Sequence, residues 1–120
     1  MISLLEKEFL NPQNAGKMQS NKVSTSVVLG SPQIKAVIRL ELEVKDNMIV
    51  SVKFKAYGFA AIACMSWLTQ KIKGASLEEA MRLESMTISQ ELDIPSMKLY
   101  NCFLAIDSLQ LAIDKLVSRS

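Results

Sequence analysis

The chain of 120 residues contains no histidine and only two cysteines, Cys64 and Cys102. Histidine is the commonest metal ligand and the usual general base of enzymes. Its absence excludes Ser-His and Cys-His nucleophilic pairs. Two cysteines without histidine also cannot form a structural zinc site within one chain. We therefore expect a protein that is not an enzyme.

Strong charge and long apolar segments are also missing. The net charge is +2 and the basic residues are scattered, so the sequence predicts no nucleic-acid partner. The longest uncharged run, residues 56–70, is shorter than the roughly 20 residues of a membrane helix, and we expect no membrane association. Glu6 and Glu8 stand where a signal peptide would be apolar. With two thiols expected to stay reduced, this pattern predicts a cytoplasmic location.

What is present is typical of one globular domain spanning residues 1–120, with 49% hydrophobic and 22% charged residues. Residues 23–29 are rich in β-branched side chains and predict a strand. In the next strand alternate residues from Ile34 onward are apolar, which places Ile34 and Ala36 on its buried face. A third strand with the same alternation begins at Met48.

The loop between the second and third strands is predicted to hold three residues, 45–47. This register pairs Leu42 with Val50 and keeps the apolar residues of both strands on one face. A loop of two residues, Asp46 and Asn47, would pair Leu42 with Ser51 and mix the faces. The longer loop also puts Asn47 at a left-handed position, which asparagine tolerates.

Helical signals dominate the second half of the chain. Residues 59–73 predict an apolar helix, and capping boxes that begin with Ser76 and Thr87 predict two short ones. The last helix is predicted over about residues 97–117. Together with a short amphipathic helix over residues 2–10, these elements predict an α+β fold. A three-stranded antiparallel sheet packs against helices, and the C-terminal half is helical.

Several segments, in this order and spacing, resemble the NifU N-terminal/IscU-type scaffolds on which iron–sulfur clusters are assembled. NPQNAG at 11–16 is similar to the family's N-P-x-N-x-G, and GSP at 30–32 to the start of its G-x-P-x-C-G-D loop. FKAYG at 54–58 resembles the segment that leads into the second family cysteine. AIACMSWLTQKIKGASLEEA at 61–80 resembles the helix that follows, and ELDIPSMK at 91–98 the E-L-x-L-P-P-V-K segment.

The chemistry of that family depends on three cysteines, assisted by an aspartate and a histidine. Thiolates suit iron–sulfur clusters because sulfur is soft and anionic. In this chain the three cysteine positions, hereafter the ligand positions, hold Ile34, Phe59 and Asn101. The accessory aspartate and histidine positions hold Ala36 and Tyr100. The resemblance implies the fold, whereas these residues argue against the cluster site, and we expect no cofactor.

Core packing is the expected role of the remaining candidate residues. Ile34 and Phe59 are expected to fill the former pocket with hydrocarbon, which stabilises a fold by burial. Cys64 and Cys102 lie on apolar helix stripes and are expected to be buried. Cys102 follows the third ligand position by one residue, so a differently placed gap would make it a metal ligand. A dimer sharing both cysteines is a further way to collect four thiolates.

Partner binding is implied by the resemblance alone. The family works with a cysteine desulfurase and a DnaK-class chaperone, and its chaperone segment corresponds to Ile94, Pro95, Ser96, Met97 and Lys98. Without the resemblance, a helix start with Ser96 as the cap is sufficient to explain these residues. We therefore expect a degenerate scaffold that acts through protein contacts. The alternative is a functional or auxiliary scaffold or carrier that binds iron or a cluster through non-standard ligands.

Overall fold

The computed structural model describes residues 2–118 and has the predicted α+β architecture. The strands form an antiparallel sheet in the order β1-β2-β3. Within the described residues, no helix has the length and hydropathy needed to cross a membrane. The elements are α1 (Leu4–Leu10), β1 (Thr25–Ser31), β2 (Ala36–Lys45), β3 (Met48–Tyr57), α2 (Phe59–Ile72), α3 (Leu77–Met81), α4 (Ser85–Leu92) and α5 (Tyr100–Val117).

The core lies between one face of the sheet and the helices α2 and α5. Helix α2 packs on β3, and α5 packs on β1 and β2. Thr25 of β1 donates a buried hydrogen bond to the carbonyl oxygen of Ala112 in α5, at 2.8 Å. Each large apolar side chain buried here contributes on the order of 1.5–3 kcal/mol relative to exposure. The largest fully buried ones include Ile38, Leu40, Leu42, Phe54, Met65, Leu68, Ile72 and Leu109.

The hairpin between β2 and β3 differs from the prediction. Its turn has two residues, Asp46 and Asn47, both left-handed with φ of 52° and 65°, as a two-residue hairpin turn with matching twist requires. A register shift next to the turn leaves Val50 outside the pairing, so Leu42 pairs with Val52 and not with Val50. This β-bulge restores the apolar residues to one face. The prediction failed because it assumed two regular strands.

Residues 11–16, hereafter the N-terminal edge segment, lie along the free edge of β3. Ala15 forms a parallel bridge with Phe54. The Gly16 N–H donates to the Phe54 carbonyl at 2.9 Å, and the Phe54 N–H donates to the Asn14 carbonyl at 3.0 Å. The segment therefore satisfies backbone groups that an edge strand would otherwise leave unpaired.

Two buried hydroxyl groups of α2, those of Ser66 and Thr69, form hydrogen bonds with the N-terminal edge segment. The Gln13 N–H donates to Ser66 Oγ at 2.8 Å, and Ser66 in turn donates to Glu8 Oε1 at 2.6 Å. The Asn14 side-chain amide donates to Thr69 Oγ1 at 3.2 Å. Because Ser66 and Thr69 have no exposed surface, these bonds replace water that cannot reach them.

Helix starts were predicted with mixed success. The capping box at Ser76 is confirmed, with reciprocal 3.0 Å bonds to Glu79. The one at Thr87 is wrong, because α4 already begins at Ser85 and has no side-chain cap. The cap at Ser96 is also wrong, since α5 begins only at Tyr100, without a side-chain cap, after a 3₁₀ turn.

Candidate functional site

The first two ligand positions lie at one end of the sheet. Val37 and Tyr57 are the last paired residues of β2 and β3 there, so the chain before β2 and the chain after β3 leave side by side. A Cβ atom on Gly58 would lie 3.1 Å from the Lys35 carbonyl oxygen, and Gly58 has a φ of +107°. Glycine is suited to this left-handed, close approach. The fold thus keeps together the loop that carries Ile34 and the start of α2.

Ile34 does not occupy the buried face of β2, and this prediction is wrong. It ends a 3₁₀ turn, Pro32–Ile34, and its side chain is 47% exposed. Lys35 follows with a left-handed φ of 57°, which interrupts the alternation before β2 begins at Ala36. Ala36 itself is buried as predicted. A hydrocarbon side chain therefore faces solvent at the first ligand position.

Phe59 is the first residue of α2 and is not a lid over the core. Its side chain is 43% exposed, and its ring lies 4.5 Å, centroid to centroid, from the ring of Phe9. Phe9 is partly buried and packs against the core. Because Ile34 and Phe59 are both nearly half exposed, neither fills an interior cavity. The prediction that they fill a former pocket is therefore wrong.

Asn101 is the buried member of the three ligand positions. Its side chain is 3% exposed, and its amide donates to the Lys98 carbonyl oxygen at 3.0 Å. Asn101 is the second residue of α5, directly after the half-buried Tyr100. The bond fastens the 3₁₀ turn to the helix start, where the sequence predicted a Ser96 cap. Asn101 therefore has a structural use of its own.

The donor set at these positions does not fit an iron–sulfur cluster. Isoleucine and phenylalanine offer no lone pair, and asparagine offers a neutral oxygen where a thiolate is needed. Throughout the described range, 2–118, no three Cys, Asp or Glu side chains come together in a group that could hold a metal ion. Chemically, the ligand positions offer two half-exposed apolar side chains and one buried amide.

The two cysteines lie in the same core cluster, which the sequence did not indicate. Both are buried as predicted, with 0% exposure for Cys64 and 1% for Cys102. Interaction with the Cys102 thiol, together with burial, raises the pKa of Cys64. Interaction with Cys64 lowers the pKa of Cys102, although burial opposes the shift. Predicting this arrangement requires knowing how α2 and α5 pack.

The predicted partner segment is exposed except at its first residue. Ile94 is buried at 7% exposure, whereas the side chain of Met97 is 85% exposed. Pro95 and the 3₁₀ turn Ser96–Lys98 are also exposed. The segment thus presents an apolar side chain to solvent between two anchors, Ile94 in the core and Asn101 at the start of α5.

Comparison with known proteins gives consistent matches over most of the chain. The family model described as NifU-like N terminal domain matches residues 4–120. The chain is 38% identical over 110 residues to "Iron sulfur cluster assembly protein 2, mitochondrial" of Saccharomyces cerevisiae, covering 88% of this chain and 70% of that protein. It is 39% identical over 107 residues to "Iron-sulfur cluster assembly scaffold protein IscU" of Haemophilus influenzae, covering 86% and 84%.

The extent of these matches varies between relatives. In three other fungal mitochondrial proteins the chain spans only 59–61% of their length. Among solved structures, a nitrogen-fixing NifU-like protein (N-terminal) from Brucella abortus has a TM-score of 0.80 at 11% identity. That superposition covers 99% of this chain and 95% of the other. At this identity the structural match shows the fold alone.

Proposed function

This chain belongs to the family of NifU-like N-terminal domains, and from that premise we propose that it is a degenerate iron–sulfur assembly scaffold. It acts through protein contacts and holds no cluster at its ligand positions. The observation that carries the proposal is the side-chain set Ile34, Phe59 and Asn101 at those positions. We also propose no enzymatic activity, since the chain has no histidine to act as a general base.

The physical argument rests on what a cluster requires of its ligands. Iron in such clusters is held by anionic sulfur, usually from four cysteines or from cysteines with histidines. Two of the ligand positions present hydrocarbon, and the third presents an amide that already donates to Lys98. None of these side chains becomes a thiolate at any pH. The ligand positions are therefore available for protein contact, with Ile34 and Phe59 as exposed apolar side chains.

The second candidate is a scaffold or carrier with non-standard ligands, and one observation favours it. Cys64 and Cys102 are both core residues on the packed helices α2 and α5, so one chain offers two thiols in one core. Two buried thiols are half the usual ligand number of a cluster. This candidate therefore needs either a second chain or other donors, together with opening of the core around both sulfurs.

Anaerobic reconstitution separates the two candidates. The wild-type protein is incubated with ferrous iron, sulfide and a thiol reductant, desalted, and assayed for bound iron, sulfide and charge-transfer absorption. We expect no stoichiometric iron or sulfide on this chain, while the Haemophilus IscU protein, treated in parallel, serves as the control. Stoichiometric iron and sulfide with charge-transfer bands on the wild-type chain would overturn the proposal in favour of the second candidate.

The proposed partners are a cysteine desulfurase and a DnaK-class chaperone. For the chaperone, the exposed Met97 in an otherwise anchored segment supports docking of residues 94–98. Such segments bind in extended form, so the 3₁₀ turn Ser96–Lys98 would have to unwind. Binding of the chaperone to the variant Met97→Asp should be weakened at least tenfold. Met86→Asp is the matched control, since Met86 is 53% exposed on α4, and equal weakening by both variants would contradict the docking site.

Contact with the desulfurase is tested directly with the purified proteins. We expect a complex in pull-down and sedimentation experiments, and no retention of the desulfurase would remove it from the proposed partners. Relatives include both mitochondrial and bacterial proteins, so the cytoplasmic location stays a prediction of this proposal. Fractionation of cells that express the protein from its own gene checks it.

A further inference from the structure

The free edge of β3 continues beyond the N-terminal edge segment. The N–H and carbonyl groups of Phe54 bind that segment, through Asn14 and Gly16. In an antiparallel ladder, alternate residues of a strand direct their backbone groups to the same side. Because β3 pairs with β2 without a register shift around Phe54, Ala56 directs its N–H and carbonyl groups to the same edge. Within the described residues the hydrogen bonds of the edge segment end at Gly16, so the Ala56 N–H is left as a donor.

A cavity of about 380 Å³, hereafter the edge cavity, lies along this part of the edge. Its apolar walls include Pro12 and Ile62. Three cationic residues, Lys17, Arg39 and Lys55, also line it, and no carboxylate of the described residues does. The volume is at the lower end of the range for small-molecule sites, about 300–1,000 Å³. The edge cavity therefore combines apolar walls, positive charge and a backbone donor.

The cations of the edge cavity have no anionic partner among the described residues. Arg39 and Lys55 lie directly opposite each other on β2 and β3, where like charges repel. Glu41, the next residue of β2 on the same face, lies opposite Lys53, and its carboxylate accepts the Met18 N–H at 3.0 Å. The one ion pair within residues 2–118 lies at the hairpin end of β2. A bound anion would therefore relieve a repulsion that the sheet itself leaves in place.

Two of the cations are held in position without losing their charge. The Lys55 Nζ lies 5.7 Å from the centroid of the Tyr57 ring, and a cation–π contact positions an ammonium group without a counter-ion. Arg39 is half-buried, and its planar guanidinium group can bind a phosphate through two parallel hydrogen bonds. Three cations together match a ligand with more than one negative charge.

We propose that the edge cavity binds a small organic phosphate of the nucleoside diphosphate class. The phosphate groups bind Lys17, Arg39 and Lys55, the Ala56 N–H donates to a phosphate oxygen, and the organic part packs against the apolar walls. None of the three ligand positions lines this cavity. The inference does not depend on the proposed function, so either can fail alone.

Calorimetric titration of the native, full-length protein tests the proposal, with ADP as the probe in buffer free of divalent cations. We expect saturable one-to-one binding of ADP, weaker binding of pyrophosphate and none of adenosine, because the charges anchor the ligand and the apolar walls add affinity. In NMR spectra, ADP should shift the amide signals of residues 15–17 and 55–57. Absence of saturable ADP binding, or shifts confined to another surface, would overturn the proposal. Pyrophosphate binding as tight as that of ADP would contradict the role of the apolar walls.

Charge variants distinguish the edge cavity from general attraction of anions. Arg39→Gln should weaken ADP binding by about tenfold or more, because a charge-assisted contact is lost. Lys55→Gln, at an exposed side chain, should do the same. Lys73→Gln is the matched control, since it removes the same charge from an exposed residue at the end of α2. Equal weakening by all three variants would contradict the assignment of the site.

Thermal unfolding checks that the variants are folded and measures binding a second time. Without ligand, Arg39→Gln should unfold at the same temperature as the wild type or a higher one, because a like-charge pair is removed. ADP should raise the unfolding temperature of the wild type and of Lys73→Gln, since a ligand of the folded state stabilises it. An equal rise for Arg39→Gln would place the bound ADP elsewhere and overturn the proposal.

Discussion

The N-terminal edge segment and the first two ligand positions contrast in how far hydrogen bonds and burial fix their residues. In the edge segment, Gln13, Asn14 and Gly16 each form a hydrogen bond to β3 or α2. At the ligand positions, Ile34 and Phe59 are about half exposed. Both regions carry positions through which the chain resembles its family, yet the family's sequence pattern is preserved only in the edge segment.

The difference shows which residues the fold itself requires. Removing a buried hydrogen-bond partner leaves another polar group unsatisfied, at a cost of about 1–3 kcal/mol. Replacing a surface ligand by hydrocarbon leaves no buried polar group behind and costs the fold little. A scaffold of this kind can therefore lose its cluster ligands and keep its architecture, which is the state we infer for this chain.

The largest effect on stability is expected at Ser66, the residue of α2 that binds the edge segment. Ser66→Ala removes the acceptor of the Gln13 N–H and the donor to Glu8, in a place without exposed surface. We expect the free energy of unfolding to fall by about 2 kcal/mol, measured by urea denaturation. A change below about 0.5 kcal/mol would mean that the segment is not committed to the fold and would remove the contrast.

A smaller effect is expected at the second ligand position. Phe59→Ser removes the ring contact with Phe9 at 4.5 Å and a half-exposed apolar surface. An aromatic pair contributes about 0.5–1.5 kcal/mol beyond burial, so we expect a loss near 1 kcal/mol. Thermal and urea unfolding measure it. A loss larger than that of Ser66→Ala would reverse the comparison and make Phe59 a core residue.

A still smaller effect is expected at the first ligand position. Ile34→Ser changes a side chain that is 47% exposed on a 3₁₀ turn. The free energy of unfolding should change by no more than about 0.5 kcal/mol, as for ordinary surface substitutions. Measured in the same denaturation series, a loss of 2 kcal/mol or more would restore the buried position that the sequence predicted.

The smallest effect is expected at the carboxyl group of Glu78, which lies outside both regions. The substitution Asn47→Gly therefore serves as a control for the three preceding variants. Two short bonds from the Asn47 amide, at 2.7 Å, lower the pKa of the Glu78 carboxyl. A lowered folded-state pKa stabilises the protein above the unfolded-state pKa, and this is lost as pH falls through the folded-state value. Asn47→Gly keeps the left-handed turn and should raise the pKa of Glu78, as measured by NMR titration. An unchanged titration would show that the bonds do not form in solution.

The order of the elements was predictable because it depends on local patterns. Alternation of apolar residues located the sheet, and the Ser76–Glu79 capping box located α3. Two features escaped prediction because nothing in the residue types marks them. One is the bulge at Val50, and the other is the left-handed Lys35 that turns Ile34 to solvent.

The site was predictable in its residue identities but not in its contacts. The assignment of Ile34, Phe59 and Asn101 to the ligand positions follows from the resemblance and needs no structure. The exposure of Phe59 and the bond from Asn101 to Lys98 depend on where α2 and α5 begin. The placement of Cys64 and Cys102 in one core depends on the packing of two helices that are distant in the chain. Such tertiary contacts are set by the whole core and not by any one segment.

The central claim is that three side chains, and not the fold, keep this protein from holding a cluster. The most direct test compares the wild-type protein with the triple variant Ile34→Cys, Phe59→Cys, Asn101→Cys in one anaerobic reconstitution with iron and sulfide. We predict stoichiometric iron and sulfide on the folded triple variant and none on the wild type. Equal, stoichiometric cluster content on both proteins would contradict the claim.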